Sequence, residues 1–218
     1  MPEVIIPKTV CISVSQNRID TIPSYRVRRL VMTADPANPM ADAAAECRVA
    51  IVTGDTKVVD RGRGHGVYIN TAGVGWVRDT VDVRPGRIQA GDAVIASGDV
   101  GRHGIAVMGV RAGLELGSTL QSDCAPLVDP VRALLDAKVD LHCLRDLTRG
   151  GLASALAELC LDSSVDMEID EGLVPVHDAV RGACELFGLD PLYVANEGRM
   201  VAIVAAATLV TSASVAVA

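Results

Sequence analysis

The chain has 218 residues, half of them hydrophobic, which is enough to bury the core of one large domain or two small ones. Aromatic residues make up only 2%, so the core has to come from Val, Ala, Leu and Ile. The formal net charge of −7 argues against non-specific binding to nucleic acid or to an anionic membrane.

The cysteines and the two chain ends indicate a cytoplasmic location. The six cysteines form no CxxC pair and no metal-ligand spacing, which predicts reduced, buried thiols rather than disulfides or a metal site. The first residues lack a basic segment followed by an apolar one, so no signal peptide is predicted. The uncharged residues 200–218 predict a buried strand with an irregular end rather than a membrane anchor.

The first half of the chain predicts short strands. Residues 1–45 show no clear pattern apart from a helix end at ADAAAEC (41–47). The apolar, β-branched runs RVAIVTG (48–54) and GVYINTAGVGWV (66–77) predict two strands, each closed by glycine. After a polar link at 84–92, AVIASG (93–98) predicts a third strand.

Helices and strands alternate in the second half. Helical spacing predicts helices over 103–116, 126–137, 148–163 and 177–189, with Asp129 capping the second and Gly188 ending the last. Strands are predicted over 139–146 and 199–207, and a strand edge with a turn over 167–176. This order predicts an α/β or α+β domain, with four or more strands and helices over one face of the sheet.

The stretch HCLRDLTRGGL (142–152) places charge and a glycine pair where a strand passes into a helix. Unpaired amides at a helix start favour anions. Short side chains with oxygen atoms, and arginines beside these amides, suit the binding of a phosphate or carboxylate. A plain helix cap with solvated arginines explains the same residues. The candidates are Arg145, Asp146, Thr148, Arg149, Gly150 and Gly151.

Three further segments are weaker candidates. TGDTKVV (53–59) places Asp55, Thr56 and Lys57 in an expected turn after a strand, which suits a magnesium–nucleotide contact or an ordinary turn with an ion pair. ANEGR (195–199) offers Asn196 and Glu197 as an acceptor and a base, or as a surface turn. SGDVGRHG (97–104) holds His103, which on sequence alone is more simply a loop histidine.

Together these segments resemble a known family. In chain order, AIVTGDTKVV, GDAVIASGDVGRHGIAV, SDCAPL, HCLRDLTRGGLASALAE and GLDPLYVANEGRMVAIV are similar to the hydrogenase maturation factor HypE. HypE belongs to the superfamily of aminoimidazole ribonucleotide synthetase, selenophosphate synthetase and thiamine-monophosphate kinase. The resemblance covers about residues 45–205.

The resemblance implies an ATP-dependent dehydratase of the PurM-like fold, working in the cytoplasm as a homodimer. It would convert a carboxamide on a cysteine to a thiocyanate, which becomes a cyanide ligand of hydrogenase iron. ATP and Mg²⁺ would be the cofactors, and HypF and the HypC–HypD complex the partners. By the same resemblance, residues 1–87 form a partial ATP-binding domain, unmatched over 1–40, and 88–218 a PurM-like C-terminal domain.

The resemblance also implies roles for individual residues. Asp55, as metal ligand, and Thr56 would contact magnesium–ATP, and Lys57 and Glu197 would be catalytic residues beside the carboxamide. Asn196 and the candidates of the 145–151 turn would line the cofactor cleft.

The sequence departs from the family pattern at several points. The family's acidic N-terminal ATP ligands and its terminal cysteine have no counterpart, and Leu147, Arg102 and Arg199 replace the usual proline, aspartate and lysine. These departures predict a HypE-like chain that is truncated at both ends and does not complete the dehydration on a cysteine of its own. The alternatives are a non-catalytic interaction module and another PurM-like, ATP-dependent synthetase.

Overall fold

The computed structural model describes residues 9–15, 39–59, 67–73, 75, 77–113 and 120–206. The chain divides into two compact units, Met1–Asp79 and Thr80–Ala218. In the described part of the chain, each unit contains one three-stranded sheet.

The sheet of the first unit has the strand order β2-β1-β3. Its strands are β1 (Thr9–Ser15), β2 (Thr53–Val59) and β3 (Val67–Thr71). The central strand, β1, runs parallel to β2 and antiparallel to β3. Helix α1 (Pro39–Glu46) lies in the crossover that a parallel pair requires.

Two expectations for this unit need correction. The strand expected over 48–54 begins only at Thr53, because the chain turns after α1: the Val49 amide donates to the Ala44 carbonyl over 2.9 Å, and Arg48 has a φ of 55°. The segment TGDTKVV, expected as a turn, is therefore strand β2 itself. The strand expected over 66–77 is confirmed for Val67–Thr71.

The second unit alternates strands and helices as its sequence predicts. Its strands are β4 (Ala93–Ala96), β5 (Leu141–Asp146) and β6 (Met200–Val204). Its helices are α2 (Arg102–Ala112), α3 (Val128–Asp136), α4 (Gly151–Ser163) and α5 (Asp178–Phe187). Short 3₁₀ turns lie at Pro85–Arg87, Glu171–Leu173 and Pro191–Tyr193.

Helices cover both faces of this sheet, not one. The strand order is β4-β6-β5, so the central strand is β6, antiparallel to both neighbours. Val201 and Ile203 pack in one core with α4, whereas Ala202 and Val204 pack in another with Leu134 of α3. Because alternate residues of a strand face opposite sides, β6 has to be apolar throughout. The described sheet has three strands rather than the four or more expected.

Some local expectations also differ. Helix α3 begins at Val128 with Leu127 at its N-cap, so Asp129 lies in the first turn and does not cap it. Residues 167–176 form no strand; they hold a 3₁₀ turn in which the Asp170 side chain accepts from the Gly172 amide over 2.9 Å. The end of α5 at Gly188 is confirmed. Among the described residues, no helix is both long and apolar enough to span a membrane.

Candidate functional site

Three of the candidate segments meet at one end of the second unit's sheet. β4 and β5 both run antiparallel to β6, with Ala96 opposite Val201 and Asp146 opposite Met200. The carboxyl ends of β4 and β5 therefore lie beside the start of β6. The segments 97–104, 145–151 and 195–199 are found there, and we call them the sheet-end site.

Asn196 joins the three segments from the inside. Its side chain is fully buried, and its Oδ1 accepts from the Gly101 amide over 2.7 Å. Its Nδ2 donates to the carbonyls of Leu147 and Val194 over 3.0 and 3.2 Å. A buried amide with these three bonds fixes the turns relative to one another. Asn196, for which the sequence offered the role of an acceptor or a place in a surface turn, is therefore buried, and the fold uses both polar groups of its side chain.

The glycine pair lets α4 begin against the neighbouring backbone. Gly150 and Gly151 have φ values of 78° and 62°, a region that other residues rarely adopt. A Cβ on Gly151 would lie 2.7 Å from the Val194 carbonyl oxygen and would also collide with that of Leu192. These glycines are therefore required for packing, whatever ligand the turn binds.

The charged residues of the 145–151 turn differ in what they contact. Arg145 is half-exposed and pairs with Glu158 of α4 over 2.5 Å. The Thr148 hydroxyl donates to Asp146 Oδ2 over 2.8 Å. Arg149 is exposed and forms no ion pair with any described residue. The carboxylate of Asp146 and the guanidinium of Arg149 thus remain available to a ligand.

Two of the departures from the family pattern meet at Asp99. Arg199 Nη2 lies 2.6 Å from Asp99 Oδ1, and Arg102 Nη2 donates to the same oxygen over 3.0 Å. Burial raises the pKa of Asp99, but hydrogen bonds and charge from Arg199 and Arg102 outweigh it and hold that pKa below its ordinary value. This cluster ties the segment after β4 to the start of β6.

Glu197 lies within a group of polar side chains. Its Oε1 is 3.8 Å from His103 Nε2, and His103 Nδ1 is 2.9 Å from Ser122 Oγ. The amide of Glu197 donates to Asp123 Oδ1 over 2.9 Å. The sequence did not single out Ser122, Asp123 or Asp99 as site residues, since a lone Ser-Asp or Gly-Asp pair carries no distinctive spacing.

The fourth segment lies in the first unit. Asp55, Thr56 and Lys57 are central residues of β2, opposite Cys11, Ile12 and Ser13 of β1. They belong to a different compact unit from the sheet-end site.

Five of the cysteines are free thiols: Cys47, Cys124, Cys143, Cys160 and Cys184. Cys143 and Cys184 are buried, and burial raises the pKa of each. Cys124, in contrast, is exposed, so the expectation of uniformly buried thiols is wrong at this position. Among the described residues, no group of three or more His, Cys, Asp or Glu side chains could hold a metal ion.

Comparison with known families and proteins gives concordant results. Residues 89–214 match the family model of the AIR synthase related protein, C-terminal domain. The carbamoyl dehydratase HypE of Cupriavidus necator is 50% identical over 168 residues, which are 77% of this chain and 48% of that protein. The chain spans about half the length of the curated relatives it matches.

Two solved structures are similar to the chain. A hydrogenase maturation protein HypE in complex with ATP is 35% identical, with a TM-score of 0.83, covering 94% of this chain and 58% of that one. A HypE–HypF complex is 36% identical, with a TM-score of 0.79, covering 90% of this chain and 61% of that one.

Proposed function

Because this chain belongs to the AIR synthase related protein family, and within it to the HypE hydrogenase maturation proteins, we propose that it takes part in ATP-dependent dehydration. The substrate would be a carboxamide carried on a cysteine sulfur, and the product a thiocyanate. The convergence of three candidate segments at one end of the β4-β6-β5 sheet carries this proposal.

The reaction needs a base, and Glu197 has the features of one. Its side chain is 44% exposed, so substrate can reach the carboxylate. The Asp123 carboxylate and the buried Asn196 beside it hold the backbone of this turn. Glu197 would remove protons from the carboxamide nitrogen. Lys57 would be the second catalytic residue, as a cation for charge that develops on the substrate.

The available side chains fit a magnesium nucleotide. When bound, ATP supplies the phosphoryl group that makes the carboxamide oxygen a leaving group. Mg²⁺ prefers a few carboxylate oxygens together with phosphate and water. In the sheet-end site, Asp146 and Thr148 offer oxygens of this kind. The resemblance gives Asp55, as metal ligand, and Thr56 the same role within the first unit.

The arginines of the 145–151 turn would hold phosphate. Arg149 forms no ion pair with a described residue, and its guanidinium can donate two hydrogen bonds to the oxygens of one phosphate. Arg145 is bound to Glu158, but a half-exposed pair of this kind is worth only about 0.2–1 kcal/mol, so a phosphate could replace it. The backbones of Gly150 and Gly151 would line the same cleft, with Asn196 supporting it from within.

The proposed partners follow from the relatives. One solved relative is a HypE–HypF complex, and we propose a HypF-type carbamoyltransferase as the partner that loads the substrate. HypC–HypD would receive the product. Two copies of the chain would associate through the first unit, and the site of action would be the cytoplasm.

A substrate supplied separately tests the proposal. A short peptide bearing S-carbamoylcysteine is incubated with the protein, ATP and Mg²⁺, and mass spectrometry follows the loss of one water from the peptide. Glu197→Gln should slow this conversion by about 10²-fold or more. Glu168→Ala, at an exposed position outside the site, is the matched control. Conversion that persists at the wild-type rate in Glu197→Gln would contradict the assignment.

Nucleotide binding is measured separately by calorimetry. The double variant Asp55→Ala Asp146→Ala should bind magnesium–ATP more weakly than the wild type. Unchanged binding by this variant would mean that the nucleotide binds elsewhere.

One observation favours a second candidate, a non-catalytic interaction module. Two of the expected ligands, Asn196 and Arg145, are used within the fold, by the buried hydrogen bonds and by Glu158. A protein that binds a HypF-type partner but never converts the peptide would support this alternative.

A further inference from the structure

His103 and Glu197 of the sheet-end site form a row of side chains with Ser122. Ser122 Oγ lies 2.9 Å from His103 Nδ1, and Glu197 Oε1 lies 3.8 Å from His103 Nε2. We propose that His103 is a positioning and relay residue, which takes from Glu197 the proton that Glu197 removes from the carboxamide and passes it to water. The three residues are far apart in sequence, so the fold alone brings them together.

The proton balance of the reaction calls for such a residue. This inference rests on the proposed function: converting S–C(=O)–NH₂ to S–C≡N breaks both N–H bonds. A carboxylate carries one proton at a time, so Glu197 has to release the first before it can accept the second. In each transfer an N–H bond breaks and an O–H bond forms on Glu197. That O–H bond then breaks as His103 Nε2 takes the proton, and the imidazolium returns to neutral by protonating water.

Ser122 sets the imidazole in the state that can accept this proton. Its Oγ accepts the Cys124 amide over 3.1 Å, and it can also accept from His103 Nδ1–H with its remaining lone pair. That tautomer leaves the Nε2 lone pair on the side of Glu197. The imidazole is 27% exposed, so its proton can pass to water.

Asp123 holds the other end of the row. Its side chain is 4% exposed, and its Oδ1 accepts from the Glu197 amide over 2.9 Å. Its Oδ2 is buried and has no described hydrogen-bond partner, so Asp123 carries an unused acceptor beside the proposed base. Gly198 packs so closely on this segment that a Cβ would lie 2.6 Å from the Ala125 amide nitrogen. The Glu197 backbone is therefore held in place, while its side chain is partly exposed.

The 3.8 Å separation is consistent with a relay before substrate binds. It is longer than a hydrogen bond, and catalytic contacts are often long until substrate closes them. The neighbouring charges do not compete, since Arg102 is bound to Asp99 over 3.0 Å. Among the described residues, no lysine or arginine nitrogen lies within 4.0 Å of the Glu197 carboxylate.

Chemical rescue tests the relay. His103→Ala is assayed with the S-carbamoylcysteine peptide, ATP and Mg²⁺, with and without added imidazole. The relay predicts a rate about 10²-fold below the wild type, largely restored by imidazole, with magnesium–ATP binding unchanged. His177→Ala is the matched control, because His177 caps α5 by accepting a hydrogen bond from the Ala179 amide. The rate of this variant should equal that of the wild type and should not change when imidazole is added.

The outcomes separate this inference from the proposed function. A wild-type rate in His103→Ala, or a loss that imidazole does not restore, would overturn the relay alone. A wild type that never converts the peptide would overturn the proposed function and the relay with it. Slower turnover in Ser122→Ala, with the same response to imidazole as the wild type, would support the orienting role of Ser122.

Discussion

Gly151, the first residue of α4, packs closely on the backbone of Leu192, Tyr193 and Val194. Its φ of 62° and its contact with the Val194 carbonyl leave no space for a side chain. Gly182, in the middle of α5, has no atom beyond its chain neighbours and the backbone of its own helix within 4 Å of the position a Cβ would take. The two glycines therefore differ in what a methyl group would meet.

We expect opposite effects from the same substitution at these positions. Gly151→Ala should lower the free energy of unfolding by about 2–5 kcal/mol, because it adds backbone strain and a collision. Gly182→Ala should raise it by about 0.5–1 kcal/mol, because alanine favours the helix. Denaturant unfolding measures both. A neutral Gly151→Ala would contradict the close packing of α4 on this turn.

Asp99 makes the second unit sensitive to acid. Its pKa is lower in the folded chain than its ordinary value of 3.8, because Arg199 and Arg102 bind the carboxylate. A carboxyl group of this kind stabilises the fold at pH values above the pKa that it has in the unfolded chain. This contribution is lost as the pH falls through the pKa that it has in the folded chain.

Asp99→Asn should therefore be less stable than the wild type near neutral pH. The difference should begin to shrink as pH falls below about 4, the ordinary pKa of an aspartate, and should vanish below the lower pKa of folded Asp99. Unfolding curves collected over this pH range check the prediction. Arg199→Gln should likewise flatten the pH dependence, whereas a constant difference between wild type and Asp99→Asn would contradict it.

At the scale of elements, β6 contributes residues to two hydrophobic cores of the second unit, one on each face of the sheet. Ile203 is 1% exposed and packs with α4, whereas Val110 of α2 is 82% exposed. Burial of an aliphatic side chain accounts for most of its contribution to stability.

Ile203→Ala should lower the free energy of unfolding by about 2–5 kcal/mol, through lost burial and the cavity left behind. Val110→Ala removes aliphatic volume from an exposed helix position and should change stability by less than about 0.5 kcal/mol. Chemical denaturation of both variants tests the difference. Similar losses would mean that β6 is not the centre of the core.

Sequence patterns predicted elements best where one signal was strong. The apolar run at β6 was sufficient to predict the strand Met200–Val204, and the glycine after α5 was sufficient to predict the helix end at Gly188. β1 was missed although Val10, Ile12 and Val14 alternate with smaller or polar residues. TGDTKVV was misassigned because glycine, aspartate and threonine favour turns, and the pairing with β1 that makes it a strand is not local.

At the scale of the whole molecule, the described sheet of the first unit ends in β2 on one side and in β3 on the other. In the described part of the chain, β2 and β3 each pair only with the central β1. Such edges favour pairing with another chain. We therefore expect self-association through this unit.

Sedimentation over a range of concentrations should show a dimer that dissociates on dilution. Hydrogen exchange at β2 and β3 should accelerate in the dissociated chain, while the central β1, already paired on both sides, serves as the internal control. A monomer at every concentration would contradict this expectation.

The composition of the site was easier to predict than its internal contacts. The segments around Asp146, Glu197 and His103 could be chosen from charge and glycine content, and antiparallel pairing brings them together. The burial of Asn196 and the pairing of Asp99 with Arg199 could not be predicted, because they depend on contacts between residues about 100 positions apart in the sequence.

The central place of β6 has a consequence for biosynthesis. β4 and β5 are made first, yet each pairs with β6 and not with the other. During synthesis on the ribosome, neither strand can form its sheet hydrogen bonds until Met200–Val204 has emerged. During that interval their backbone groups and the apolar surface of α4 are exposed, which is when a nascent chain is most open to misassembly and to capture by chaperones.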